Sequence, residues 1–180
     1  KVCGVAPHRI MAVTFTNKAA KEIKGRLFSL VGQTVEAVTL GTFHSICAKI
    51  LRIDGQPIGL DRNLVIYDAD DQASIIKRAM QELNIDPKNF SPRNILSAIS
   101  RAKSQLIEAA DHRLHVHSYF DEVVNRVYLK YQDKLNENNG VDFDDLLLKT
   151  VQLFYKHPDV LEKYSSRYVH ILIDEFQDTN

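Results

Sequence analysis

The sequence predicts an α/β protein, a parallel sheet interrupted by a long and largely helical insertion. Three observations carry this. Residues 1–60 alternate strand-like and helix-like patterns in a β-α-β-α rhythm. Residues 61–141 then show helical periodicity alone, over about 80 positions. Beyond 142 the pattern runs through helices back to a short apolar strand, Val169 to Ile173, with His170 inside it.

Each element has its own warrant. Ile10 to Thr16 is short, apolar and β-branched, and reads as a buried strand. Asn17 then reads as a helix cap, with Ala20, Ile23, Leu27 and Leu30 on one face and Gly32 as the stop. Lys18, Lys21, Lys24 and Arg26 lie mostly off that face. Val35 to Leu40 reads as a second strand, ended by Gly41. Thr42 caps a helix carrying Phe43, Ile46, Cys47, Ile50 and Leu51 on one side. Gly55, Pro57 and Gly59 give residues 53–63 a linker-like composition.

In the insertion, Asp68 caps a helix that turns Ala73, Ile76, Met80 and Leu83 inward. Ser91-Pro92 is a cap followed by proline at the first helical position, before Ile95, Ala98, Ile99 and Ala102. From about Ser118 a longer helix spaces Phe120, Val123, Val124, Val127, Tyr128, Tyr131 and Leu135 by three or four, and Asn138-Asn139-Gly140 ends it. Asp142 caps the next helix, with Phe143, Leu146, Leu147, Thr150, Val151 and Phe154 inward. Asp144 and Asp145 fall in its first turn, where carboxylates complement the helix dipole. Pro158 opens a short helix before the last strand.

Composition excludes several classes. The chain has 180 residues, 44% hydrophobic and 26% charged, as soluble domains do. No run approaches the ~18 apolar residues of a membrane-spanning helix, and no basic-then-apolar leader is visible. Cys3 and Cys47 are the two cysteines, without a CxxC, which fits a reducing compartment such as the cytoplasm. The 23 Lys/Arg balance 23 Asp/Glu, but unevenly. Residues 1–60 hold eight basic and three acidic residues, and residues 61–180 hold 15 and 20. A basic first third suggests a polyanion-facing surface on that part alone. Both ends lie beside strand-like segments, so the chain reads as an excerpt of a longer protein.

Chemistry concentrates at three predicted strand exits. Ile171-Leu172-Ile173-Asp174-Glu175 delivers two adjacent carboxylates at the end of an apolar strand, where ligands of open parallel sheets bind. One carboxylate on Mg²⁺ and a second orienting water is the Walker B arrangement for nucleotide hydrolysis. Strand alternation would send Asp174 and Glu175 to opposite sides. The alternative is an ordinary strand exit with acidic loop residues. Thr14 to Ala20 places an aromatic, hydroxyls, an amide and a cation at a strand-to-helix turn, a set that stacks bases and binds phosphates. The alternative is a core Phe and a plain cap. Gly41-Thr42-Phe43-His44-Ser45 repeats the design, and the two turns would share one edge. His112, His115 and His117 cluster without Cys or carboxylate at metal spacing, so no zinc site is expected. No glycine precedes a lysine, so a phosphate loop, if there is one, lies upstream of Lys1.

These segments together resemble superfamily 1 DNA helicases of the UvrD/PcrA/Rep type. Ala12 to Ala20 (AVTFTNKAA) is similar to motif Ia, and Gly41 to Arg52 (GTFHSICAKILR) to motif Ib. Val141 to Leu147 (VDFDDLL) is similar to the stretch where the family's helical insertion rejoins the sheet, and Ile173 to Asn180 (IDEFQDTN) to motif II. The resemblance implies a partial RecA-like P-loop NTPase sheet, with residues 1–60 and 142–180 in the motor domain and 61–141 as its 1B insertion. By that likeness Asp174 and Glu175 hold Mg²⁺, and Glu175 is the general base. Phe15 would stack on bases, and Thr16, Asn17, Thr42 and His44 would contact the strand. The implied activity is ATP-driven 3′–5′ movement on single-stranded DNA with unwinding at duplex junctions, in repair or replication. ATP and Mg²⁺ are the implied cofactors. The family's adenine-recognising motif, phosphate loop, arginine finger and second motor domain are not in this stretch, so the 180 residues alone are expected to be inactive. Rival readings are a non-catalytic DNA- or protein-binding module built on the insertion, and the motor part of a helicase-nuclease subunit.

Overall fold

The computed structural model describes residues 4–178. Cys3 and the last two positions of the 173–180 segment lie outside the described residues. A three-stranded parallel sheet has the order β2-β1-β5, formed by β1 (Ile10–Thr14), β2 (Thr39–Thr42) and β5 (His170–Ile173). Met11 lies beside Thr39 on one side and Ile171 on the other, and Thr14 beside Thr42. Because all three strands run the same way, their carboxyl ends meet at one edge. The helices of this half are α1 (Asn17–Val31), α2 (Phe43–Asp54), α6 (Phe143–Lys156) and α7 (Pro158–Arg167).

The helical half consists of α3 (Ala69–Glu82), α4 (Pro92–Ser104) and α5 (Tyr119–Glu137). Two short parallel strands, β3 (Val65–Ile66) and β4 (Gly140–Val141), bring its entry and exit side by side. This pairing was not predicted, because two residues give no readable period. Gly140 is required at the closure, since a Cβ there would meet the Tyr67 ring at 2.4 Å.

Each half has its own core. Met11, Val13, Ile46, Ile50, Leu51, Leu146 and Leu153 pack in the sheet half, and Ile76, Met80, Ile95, Ile99, Val127, Tyr128 and Leu135 in the helical half. Burying each large aliphatic side chain contributes roughly 1.5–3 kcal/mol. Asp68 and Asp142 are capping boxes as well as caps, each with an aspartate at the third helical position answering the cap's own N–H. Ser118 caps α5 by accepting from Asp121 N at 3.1 Å.

Several expectations are corrected. Thr16 caps α1, accepting from Ala19 N at 3.1 Å, and Asn17 is the first helical residue. Gly32–Ala37 is a 3₁₀ turn that opens on Gly32 at φ 62°, so β2 starts at Thr39 and runs through Gly41. In α6 the buried side chains are Asp145, Leu146, Leu148, Thr150 and Leu153, whereas Phe143 and Leu147 face outward. The strand Val169 to Ile173 was expected to be buried, yet Ile171 and Leu172 are 58% and 59% exposed. It is the edge strand β5, and no described element covers its outer side. The apolar face of α1 is likewise only half covered, and Leu30 is exposed.

Candidate functional site at the carboxyl edge of the sheet

The sequence-predicted residues converge. Thr14 and Thr42 are register partners, so Phe15 and Phe43 leave adjacent strands together. Their ring centroids lie 5.3 Å apart in a tilted pair. Phe15 keeps 40% of its surface exposed, which is unusual for a phenylalanine beside a core and leaves a free apolar face. Thr16 and Asn17 follow it, exposed, at the N-terminus of α1, where N–H groups favour anions. Thr42 is buried; its hydroxyl accepts from Ser45 N at 3.2 Å, so it fixes the start of α2. His44, half-buried in the first turn of α2, meets Phe143 edge-on at 5.7 Å.

Phe143 stands beside the predicted residues, where the sequence pattern did not place it. Its position in the apolar spacing of α6 assigns it to the core, yet it is 48% exposed and beside His44. Its place as the first residue after the Asp142 cap was the available signal, because that position projects from the end of a helix rather than along its packed face. Phe15–Phe43 and His44–Phe143 are thus two partly exposed ring pairs, joined through the first two residues of α2.

The carboxylates lie at the third strand end. Asp174 N donates to Val13 O at 2.9 Å, carrying the ladder one residue past β5. Glu175 adopts φ 53°, a left-handed conformation that costs a non-glycine residue energy and turns the chain sharply. Strand alternation therefore does not govern the pair; a turn does. Both side chains are exposed, and Gln177 Nε2 donates to Glu175 Oε2. Among the described residues no group of three or more His, Cys, Asp or Glu could hold a metal ion by itself. His112 is buried against the Tyr128 ring, and burial pushes its imidazole below the ordinary value.

The fold and this edge define an α/β protein with a RecA-like parallel sheet and a helical insertion, with its polar chemistry at the strand ends. The chain belongs to the UvrD/PcrA family of superfamily 1 helicases: the model of the UvrD/REP helicase N-terminal domain matches residues 1–180. Similar relatives are the ATP-dependent DNA helicases PcrA of Bacillus subtilis, 48% identical, and of Staphylococcus aureus, 45% identical, each over 98% of this chain. The PcrA of Staphylococcus epidermidis is 44% identical over the same share. The chain spans about a quarter of the length of these relatives, 24% in each case. No helix among the described residues is long and apolar enough to cross a membrane.

Proposed function

We propose that this chain is the part of an ATP-dependent 3′–5′ DNA helicase that holds the single strand and supplies the carboxylates of ATP hydrolysis. Residues 61–141 are its insertion, between motor segments 1–60 and 142–180. The observation that carries the reading is the meeting of three parallel strand ends. Partly exposed rings follow two of them, Phe15 paired with Phe43 and His44 with Phe143, and an acidic pair follows the third.

The donor set suits Mg²⁺, whose hard charge takes one or two carboxylates and completes its shell with phosphate oxygens and water. Asp174 and Glu175 would hold it, and the ion would neutralise charge on the transferred phosphoryl group. Glu175 accepts the proton of the attacking water, and Gln177 restrains that carboxylate by its hydrogen bond. Phe15 stacks on a base with Phe43 behind it. Thr16, Asn17 and His44 offer polar groups to the strand, and Thr42 fixes the turn that presents His44. Phe143 adds its ring beside His44. Adjacency of the strand edge to the carboxylates lets DNA position and hydrolysis influence each other. The reading places the protein with nucleic acid in the cytoplasm.

Binding of oligothymidylate by the full-length protein tests the strand edge. Affinity is expected to fall with salt at a logarithmic slope of about −0.7 per phosphate contacted. Unchanged affinity between low and high salt would count against it.

A further inference from the structure

A buried polar cluster holds the first turn of α6. Lys103 Nζ of α4 lies 2.7 Å from Asp142 Oδ2 and 2.9 Å from Asp145 Oδ1. The Tyr131 hydroxyl of α5 donates to Asp142 Oδ2 at 2.8 Å, and Gln132 Nε2 donates to Asp145 Oδ2 at 3.3 Å. Lys103, Tyr131, Asp142 and Asp145 are at most 1% exposed. The donors come from the helical half, and both carboxylates from the start of α6.

Such a cluster is a costly way to gain stability. Desolvating a lysine and two carboxylates offsets most of their attraction, and apolar packing of equal volume often does better. What a hydrogen-bonded ion cluster adds is a single orientation. Capping bonds between Asp142 and Asp145 pass that orientation to the backbone of the first turn. The next residue is Phe143, whose exposed ring stands against His44.

We propose that Lys103 and Tyr131 are positioning residues for DNA binding. Through Asp142 they set the place of Phe143 against His44, so the insertion tunes the grip of the motor domain on the single strand. This rests on the reading of the sheet edge as a strand-binding surface.

A mutant cycle in the full-length protein tests it, with oligothymidylate affinity read by fluorescence anisotropy well below each melting midpoint. Tyr131→Phe keeps the ring and removes one donor. It is expected to weaken binding by about threefold or more, within the range by which residues without ligand contact modulate a distant site. In a Phe143→Ala background the same change is expected to have no further effect. Weakened affinity that adds fully to that of Phe143→Ala, or unchanged affinity with a lowered melting midpoint, would overturn the proposal and leave the cluster purely structural. Should Tyr131→Phe fail to fold, Asp142→Asn, which keeps a capping side chain, takes its place in the same cycle. Phe15→Ala is the control: if it too leaves affinity unchanged, the strand-edge reading itself fails. If it weakens binding while Tyr131→Phe does not, the positioning role alone fails.

Discussion

Phe15 shows how far single residues were legible. Its place between two threonines at a strand exit suggested a stacking ring, and its partial exposure against Phe43 supports that role. Phe15→Ala is expected to cost about 1–3 kcal/mol of single-strand affinity, measured by titration of oligothymidylate. The cap of α1 was one residue off because Thr16 and Asn17 are both good caps, and only backbone geometry separates them. Lys103 was beyond reach, since a lysine on a helix reads as solvated until its partners, 39 and 42 positions away, are in place. His112 carries a pH dependence. Burial is the larger effect and depresses its folded value below 6.5, against the upward pull of Asn125 and Asp121. Below that value the unfolded chain takes a proton that the folded one resists. Its contribution to stability is therefore present above pH 6.5 and lost as pH falls toward the folded value. Denaturant midpoints at about pH 7.5 and about pH 5.5 should differ, and His112→Leu should narrow the difference. An equal pH dependence in the variant would remove His112 as its source.

At the scale of elements, helices with strong caps and clean spacing were legible, and strands less so. α3 and α5 followed from Asp68, Ser118 and the spacing of their apolar residues, because a cap and a period agree there. The apolar pattern of β5 correctly marked a strand, but its exposure depends on neighbours that a local pattern does not contain. Similarly, Phe143 and Leu147 match the period of α6 while the packed side is fixed by α2, α4 and α7. The capping box of α6 is also where the two halves are tied. Asp142→Ala removes a cap and leaves Lys103 short of a partner, and is expected to destabilise the fold by about 3–5 kcal/mol in urea denaturation. Phe143→Ala, outside the core, should change stability by less than about 0.5 kcal/mol while weakening DNA binding. A loss of stability from Phe143→Ala equal to that from Asp142→Ala would mean that the ring is structural.

For the whole molecule, the +5 surplus of residues 1–60 lies on the part that carries both strand-exit turns, and the −5 remainder holds the helical half and the acidic pair. Zero net charge concealed that division. The fold class was legible because its parallel rhythm and helical interruption are long-range patterns. The shared edge followed once parallel order was assumed. The ring of Phe143 and the cluster behind it were not legible, because they depend on contacts between elements far apart in the sequence. The central claim is that Asp174 and Glu175 serve ATP hydrolysis beside a bound strand. It is tested most directly by DNA-stimulated ATP turnover of the full-length protein, with and without Glu175→Gln, alongside the isolated 180 residues. Glu175→Gln should lower turnover by about 10²–10⁴-fold with single-strand binding retained, and the isolated chain, which has no Gly-Lys-Ser/Thr loop, should show no turnover above its own Glu175→Gln control. Full turnover in the Glu175→Gln protein would contradict the account.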